Sequence, residues 1–341
     1  MQIIFINVFI LLLVTAIFEL KCYNSSIYKT YKNNAFIIII ILLISIAGFR
    51  EIGSDNDSKM YHAMFNETGN MSYNDLLFNN SGRVKEIGYL LLNKVFNSLG
   101  FRAFLFFCAT VSLGIKGYLF YRFTRFPFIS IFIYFVLFFY LREFTQIRDA
   151  LATSFILLCL MMYIKKRYLY SGLFFLIAIS FHSIAIMCIG VIALWEIYKI
   201  KSFFCYIFFA IVVALKIYMP GLDYLSNPML PSQLTVYLTE NSLRSLNTGY
   251  FLPLFSLFLL IIFYINKLPL KSNFLYFISL LTFVGYIYSL NHTVLIRVPN
   301  ILFFGNIIAI GNTKYMKNNF RWIILLILSI YWMKNFIIYK G

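Results

Sequence analysis

Several arginines stand at the edges of long apolar segments, in positions suited to binding an anion. The planar fork of a guanidinium matches the oxygens of phosphate groups. Fixed positive charges of this kind can stabilise a pyrophosphate leaving group without a metal ion. We therefore expect a binding site for pyrophosphate or a similar substrate group. Its candidate residues are Arg50, Arg142, Arg148 and Arg297.

Two of these arginines could form ion pairs with neighbouring residues instead of binding a ligand. In a continuous helix, Arg142, Gln146 and Asp149 would share one face, at spacings of four and three residues. Arg148 lies at the apolar boundary, where an unpaired guanidinium is costly. An ion pair of Arg148 with Asp149 or Glu143 is therefore the structural alternative.

Three further side chains are candidates for a catalytic acid or base. Asp55 lies shortly after Arg50, Glu86 lies further along the same polar stretch, and His182 stands between two apolar segments. Each could take the proton of an attacking hydroxyl group. Structural roles compete here too, since an aspartate after a helix often caps a turn and a lone histidine is often a packing residue. The choice among the three stays open.

Nothing in the sequence indicates a metal site or a cofactor. The five cysteines are scattered, and no cysteine or histidine pair has metal-ligand spacing. Glycine-rich phosphate loops and the zinc-protease motif are missing from the sequence. The formal charge of +17 would suggest a nucleic-acid partner in a soluble protein, but the basic residues here flank apolar segments. They indicate membrane topology and anionic-lipid contact, so we expect no cofactor, no metal and no nucleic acid.

The composition is that of a polytopic membrane protein. Of 341 residues, 62% are hydrophobic and only 12% are charged, about half the charged fraction of a soluble domain. We expect an all-α integral membrane protein with a single transmembrane domain over 1–341 and about 12 transmembrane helices, within a range of about 10–12. The predicted segments are 3–19, 35–49, 103–121, 126–141, 149–164, 168–182, 184–198, 202–219, 251–266, 273–290, 297–312 and 321–338.

The charges between these segments predict their orientation. Every second gap is basic and nearly free of acid, as cytoplasmic loops are, so both termini and the remaining gaps are expected outside. Two outer gaps are long, at about 50–102 and 220–250. Basic clusters on either side of 168–198 predict that this stretch turns back at His182.

Two details of this layout concern helices and buried charge. The segment 87–99 has helical apolar spacing, so we expect it at the membrane interface or packed back on the bundle. Lys116 and Lys216 are the main cations inside apolar segments. Both are close enough to a helix end for the ammonium group to snorkel to the surface.

At these clusters the chain resembles the EpsG-type family of bacterial membrane polysaccharide polymerases, which is related to the Wzy-type O-antigen polymerases. The matching stretches cover roughly positions 35–310. They are Arg50-x-x-Gly53-x-Asp55 with Tyr61, Glu86-x-Gly88-Tyr89, Ile147-Arg148-Asp149-Ala150-Leu151-Ala152, Phe181-His182-Ser183, and Arg297 before a helix.

The resemblance implies a glycosyltransferase of the bacterial inner membrane, with two long periplasmic loops and an active site facing the periplasm. Such an enzyme transfers the growing chain from undecaprenyl pyrophosphate to the non-reducing end of a new lipid-linked oligosaccharide, without a nucleotide sugar. Arg148 and Arg297 would be foremost in holding pyrophosphate, and Asp55, Glu86 or His182 would be the base. The implied partners are the undecaprenyl-pyrophosphate-linked oligosaccharide and the bilayer, with a chain-length regulator as a further candidate.

Other functions compete with this one. A lipid-linked oligosaccharide flippase would need polar residues along a mid-membrane cavity, whereas these charges gather at one membrane face. An O-antigen ligase differs from a polymerase in its acceptor, which sequence does not reveal. A membrane acyltransferase would use a histidine-led site, and neither His182 nor His292 has an evident partner. A purely structural membrane protein agrees least with the charged outer loops.

Overall fold

The computed structural model describes residues 2–55, 57–78, 86–218, 250–266, 273–289, 295–312 and 316–338, without the side chains of residues 204, 215–218 and 336–338. The Lys216 side chain and nearly all of the long gap 220–250 lie outside this part of the chain. Within the described ranges the secondary structure is helical and contains no strand. The expected all-α class is confirmed.

Fourteen α-helices make up the described structure, together with one π-helix and one 3-10 turn. The π-helix (Phe135–Thr145) continues directly from α7, and the 3-10 turn (Ser183–Ile186) joins α9 to α10. The α-helices are α1 (Gln2–Cys22), α2 (Ser26–Gly48), α3 (Ser58–Asn70), α4 (Tyr73–Phe78), α5 (Ile87–Phe96), α6 (Phe101–Phe123), α7 (Pro127–Tyr134), α8 (Ile147–Ile164), α9 (Tyr168–Phe181), α10 (Met187–Tyr218), α11 (Phe251–Ile265), α12 (Phe274–Tyr288), α13 (Arg297–Ile310) and α14 (Asn318–Ile338).

The apolar helices agree with the segments predicted from hydropathy. Among the described residues, six stretches are long and apolar enough to cross a membrane, and six shorter apolar helices accompany them. The helix before His182 ends there, where the backbone is extended (φ −160°, ψ 132°). A second interruption lies at Lys201 inside α10 (φ −137°, ψ 62°), beside the basic gap expected there. The number of helices that cross the membrane stays a prediction.

The chain divides into two compact units. The first contains Met1–Cys188 and Trp322–Gly341, and the second contains Ile189–Arg321. In the second unit, polar side chains tie α12 to α13: the Tyr286 hydroxyl donates to the Asn300 side chain at 2.8 Å. Interhelical hydrogen bonds of this kind hold apolar helices in register. The single transmembrane domain over 1–341 stays a prediction.

The first unit has a basic end. Lys32 of α2 lies 5.1 Å from the ring centroid of Tyr121 near the end of α6. Lys165, which follows α8, lies 4.7 Å from the Phe123 ring centroid. The ends of α6 and α8 and the start of α2 therefore meet at one end of the unit, as the charge pattern predicts.

Helices α3, α4 and α5 form a cap at the other end of α6, roughly 33 Å away by helix geometry. Their apolar faces share one core with the first turns of α6 and α8, which includes Tyr61, Phe65, Tyr89, Phe104 and Leu151. The expected helix in 87–99 is confirmed at α5, and it packs back on the bundle. We call this the cap end of the first unit.

Candidate functional site

An ion pair between Arg148 and Glu86 lies at the cap end. An Arg148 terminal nitrogen donates to Glu86 Oε2 at 3.1 Å, and the two side chains are 20% and 15% exposed. Arg148 lies in the first turn of α8, whereas Glu86 stands immediately before α5, with no side-chain hydrogen bond to that helix. The pair thus joins two elements that are 62 residues apart in sequence.

Two tyrosine rings hold the Arg148 guanidinium in place. Its central carbon lies 5.8 Å from the Tyr61 ring centroid and 5.6 Å from that of Tyr89. Such cation–π contacts strengthen when they are shielded from water, and both rings are buried. Burial also raises the pKa of the Tyr61 and Tyr89 hydroxyls, so both stay neutral at physiological pH. The guanidinium is therefore held by the two ring faces and by a hydrogen bond to the neutral Tyr61 hydroxyl.

Several polar atoms around this pair lack a hydrogen bond within the described part of the chain. They include Arg148 Nε and Gln146 Oε1, which are both buried. The Tyr89 hydroxyl and the side-chain amide of Asn93, one turn further along α5, lie beside them as a second polar pair. Buried polar groups are almost always hydrogen-bonded in native proteins. The neighbourhood of Arg148 therefore has unused capacity to donate and accept hydrogen bonds.

Arg50 and Asp55 form a second ion pair, which is buried. Arg50 Nε lies 3.3 Å from Asp55 Oδ2, and a terminal nitrogen of Arg50 donates to the Ala47 carbonyl at 2.7 Å. The other carboxylate oxygen, Oδ1, accepts backbone N–H groups of Asp57 and Ser58 at 3.0 and 2.8 Å. Burial lowers the pKa of Arg50, and Asp55 opposes that shift. Both Asp55 oxygens are thus occupied, one by Arg50 and the other by the backbone at the start of α3.

Arg142 and Asp149 form a third pair, buried across a helix break. They form an ion pair and are 0% and 2% exposed. The prediction that Arg142, Gln146 and Asp149 share one face of a continuous helix is wrong, because the backbone leaves helical geometry at Gln146 (φ −112°, ψ 61°). The π-helix ends there and α8 begins, and the Arg142–Asp149 pair bridges the break.

The fourth pair, Lys116 with Glu143, corrects two expectations. Lys116 Nζ lies 2.6 Å from both Glu143 Oε1 and Ser112 Oγ, and the lysine is fully buried. The expectation that Lys116 snorkels to the surface is therefore wrong, since its charge is compensated inside the bundle. Glu143 is also not the partner of Arg148, because its carboxylate faces Lys116 and the Tyr134 hydroxyl.

His182 lies at the same cap end, where α9 finishes. Its Nδ1 accepts the backbone N–H of Ile184 at 3.2 Å. In a neutral imidazole this hydrogen bond leaves the proton on the other ring nitrogen, which then donates. Ser180 packs so closely on Gly88 that a Cβ at position 88 would clash with it. This contact brings the end of α9 against the start of α5, beside Glu86.

Arg297 belongs to the second unit. It is half-buried and is the first residue of α13. The neighbouring residues Asn291, His292 and Thr293, which were predicted to accompany it, lie outside the described residues. The structure thus brings Glu86 and Arg148 together in the first unit, and Arg297 stays a separate candidate.

A small cavity lies in the interior of the first unit. A cavity of about 10 Å³ lies beside Arg50, Cys108 and Glu143, which is space for no more than about one water molecule. In the part of the chain that the structure describes, no three His, Cys, Asp or Glu side chains form a group that could hold a metal ion. Arg148 and Glu86 lie outside this cavity, and their side chains are partly exposed at the cap end.

The fold and these sites define a class: a polytopic, all-helical membrane protein with a partly exposed arginine–carboxylate pair beside a buried charged network. Residues 33–340 match the EpsG family. The chain therefore belongs to the EpsG family, a membership that indicates a polysaccharide-polymerase-like function of the glycosyltransferase type. No curated protein and no solved structure matches the chain.

Proposed function

We propose that this protein is a polysaccharide polymerase of the O-antigen type. It would be a membrane glycosyltransferase that joins oligosaccharide repeat units carried on undecaprenyl pyrophosphate. The observation that carries the proposal is the partly exposed Arg148, which is held between Tyr61 and Tyr89 and meets the Glu86 carboxylate through one terminal nitrogen. Membership of the EpsG family supports the same reaction class.

In this reaction Arg148 would bind the pyrophosphate of the donor. The bond between the anomeric carbon of the growing chain and the pyrophosphate oxygen breaks. A new bond forms between that carbon and a hydroxyl oxygen at the non-reducing end of the acceptor unit. Lipid pyrophosphate leaves with the bonding electron pair, and a fixed guanidinium stabilises the charge that develops on it. Arg297 is the second candidate for this binding role.

A base must take the proton of the attacking hydroxyl. Asp55 is poorly placed, since one carboxylate oxygen faces Arg50 and the other accepts two backbone N–H groups. His182 accepts a hydrogen bond through Nδ1, which favours a donating role for its other nitrogen. Glu86 is half-exposed and is not needed to cap its helix. We therefore place Glu86 first, with His182 and Asp55 as competitors.

The sequence suggests Arg50 and Arg142 as pyrophosphate-binding residues, but we propose a supporting role for both. Each is buried in an ion pair beside the helix breaks that lead to the site. Such buried pairs are disrupted at high cost, which suits a frame better than a substrate contact. We propose that they hold the backbone around Arg148 and support pyrophosphate binding indirectly.

The proposed orientation puts the basic end in the cytoplasm and the cap end in the periplasm. Basic residues accumulate in cytoplasmic loops, and the Lys32 and Lys165 contacts gather such residues at one end of the first unit. The proposal includes a bacterial inner-membrane location and about 12 crossings. The bilayer, the lipid-linked oligosaccharide and a chain-length regulator are the proposed partners.

A flippase is the second candidate, because the structure shows an ion pair inside a membrane-spanning region. Lys116 and Glu143 are buried within two of the apolar stretches, and intramembrane charges often mark a transport path. However, their side chains are 0% and 1% exposed, and the Ser112 and Tyr134 hydroxyls donate to the same Glu143 oxygen. The pair fits a structural role better.

Deletion of the gene tests the function, with surface glycolipids separated by size. The deletion strain would be complemented with wild type, Arg148→Ala, or Arg102→Ala, which removes an exposed arginine at the same cap end. We expect collapse of the ladder to carrier plus one repeat unit, rescued by wild type and Arg102→Ala but not by Arg148→Ala. Loss of the one-repeat band would indicate a flippase or ligase, and an unchanged ladder would refute the proposal.

A further inference from the structure

The ion pair of Glu86 with Arg148 differs from the three buried pairs of the first unit. The other pairs have side chains no more than 2% exposed, whereas Arg148 and Glu86 are 20% and 15% exposed. Only one terminal nitrogen of Arg148 meets the carboxylate, although a guanidinium can bind two oxygens at once. The pair is accessible and only partly formed, so it is suited to exchange partners.

Arg148 stands where an anion is needed. It lies in the first turn of α8, and the partial positive charge of a helix N-terminus disfavours a cation there. Its Nε is buried and lacks a hydrogen bond to any described residue. The Tyr61 and Tyr89 rings keep the guanidinium in position whichever anion it binds. A single carboxylate therefore leaves part of its binding capacity unused.

Glu86 has an alternative to this ion pair. It occupies the position before α5 with extended backbone angles (φ −82°, ψ 96°) and makes no side-chain hydrogen bond to that helix. The free backbone N–H groups and the dipole of the first turn of α5 can receive a carboxylate that leaves Arg148. Release of Glu86 therefore does not strand a buried charge.

We propose that Glu86 is an internal ligand that occupies Arg148 until a diphosphate displaces it. This inference rests on the proposed function and adds that donor binding and acceptor activation are coupled. While Arg148 holds Glu86 Oε2 at 3.1 Å, that carboxylate is occupied by the ion pair and is not presented to the acceptor hydroxyl. Binding of the donor pyrophosphate to Arg148 releases Glu86, which then takes the proton of the attacking hydroxyl. Donor binding thereby switches on acceptor activation.

The displacement is chemically reasonable because the incoming ligand is the stronger partner. A diphosphate carries more negative charge than a carboxylate and presents several oxygens to the planar fork of the guanidinium. Only protein in which Glu86 has left Arg148 can bind the diphosphate. The apparent affinity is therefore the intrinsic affinity multiplied by the fraction of protein in that state. Removing the internal ligand must therefore tighten diphosphate binding.

Titration of inorganic pyrophosphate into the full-length protein in nanodiscs, followed by calorimetry at fixed ionic strength, tests this. We expect Glu86→Gln to tighten binding by about three- to tenfold. Glu86→Asp keeps the charge but shortens the reach, and is expected to tighten binding as well. Glu67→Gln removes an equal charge from the exposed face of α3 and should leave affinity unchanged. Arg148→Ala should abolish binding.

Two results would overturn the inference. One is a Glu86→Gln affinity equal to or weaker than that of wild type. The other is an equal gain from Glu67→Gln, which would show a general effect of net charge. The glycolipid ladder separates this failure from failure of the function. If the ladder collapses in Arg148→Ala but Glu86→Gln leaves the pyrophosphate affinity unchanged, the internal-ligand inference is refuted while the polymerase function is still supported.

Discussion

Replacement of Lys116 by methionine would remove one partner of the most deeply buried charged network. The Lys116 ammonium contacts Glu143, Ser112 and the carbonyl of Ala150 at 2.6, 2.6 and 3.2 Å. Methionine has a similar volume and no charge. The substitution therefore leaves the Glu143 carboxylate inside the bundle with only the Ser112 and Tyr134 hydroxyls as donors.

The expected magnitude follows from the burial of both charges. Loss of one partner of a buried ion pair costs about 3–5 kcal/mol, because the other charge is left uncompensated. Replacing both partners by apolar residues is often close to neutral. Here Lys116→Met combined with Glu143→Leu also removes the Glu143 acceptor of the Tyr134 hydroxyl, at about 1 kcal/mol, whereas the Ser112 hydroxyl can still donate to the Ala150 carbonyl. We therefore expect the double variant to lose about 1 kcal/mol, less than Lys116→Met alone.

Thermal unfolding in detergent, reported by a thiol-reactive fluorophore, measures these differences. The free cysteines Cys108, Cys159, Cys188 and Cys205 are buried and become reactive when the helices separate. At about 2–4 °C per kcal/mol, the Lys116→Met variant should unfold roughly 6–20 °C below wild type. The double variant should recover more than half of that loss.

Lys59→Met is the matched control, since Lys59 is an exposed lysine on α3. Its midpoint should stay close to that of wild type, because exposed substitutions usually change stability by less than about 0.5 kcal/mol. An unchanged midpoint for Lys116→Met would contradict burial of the ammonium and restore the expectation that it snorkels. A double variant less stable than Lys116→Met would show that the pair itself stabilises the bundle.

Three further predictions concern the cap end. Asp55→Ala should lower the free energy of unfolding by about 3–5 kcal/mol. Asp55→Asn should lower it by less, because asparagine still accepts the backbone N–H groups. The same thermal assay compares the two variants. Gly88→Val should destabilise by about 1–3 kcal/mol through its clash with α9, whereas Gly114→Ala, which meets nothing within 4 Å, should not destabilise. Tyr61→Phe should retain most polymer length in the glycolipid ladder, and Tyr61→Leu should lose about three- to tenfold in rate with the cation–π contact.

The helices could be predicted because hydropathy acts locally. Apolar runs near the length of a bilayer identified the helices, and basic clusters located the interruptions at His182 and Lys201. The helix at 87–99 followed from its apolar spacing and was found at α5. These signals depend on neighbours within one or two turns, so a single sequence contains them.

The charge pairing could not be predicted because its partners are distant in sequence. Local spacing offered Asp149 or Glu143 to Arg148, but the partner is Glu86, which the cap brings back over the start of α8. Hydropathy allowed Lys116 to snorkel, but its partner lies on the helix that follows. Tertiary packing therefore determines which charged residues pair with each other.

The π-helix also has no signature in the sequence. Its residues read as an ordinary apolar segment that ends in a charged cluster. Wider helical turns over Phe135–Thr145 turn Arg142 and Glu143 into the interior rather than toward the surface. Such helices are rare and often mark functional sites. Here the π-helix ends at Thr145, three residues before Arg148.

Reconstitution of the purified protein in liposomes, with an undecaprenyl-pyrophosphate-linked oligosaccharide as the only substrate, tests the central claim most directly. The quantities measured are polymer length and the undecaprenyl pyrophosphate released. Wild type and Arg102→Ala are predicted to release one undecaprenyl pyrophosphate for each bond formed, whereas Arg148→Ala should form no polymer. Polymer formation by Arg148→Ala at the wild-type rate would contradict the account, as would a wild-type protein that moves lipid-linked units across the bilayer without joining them.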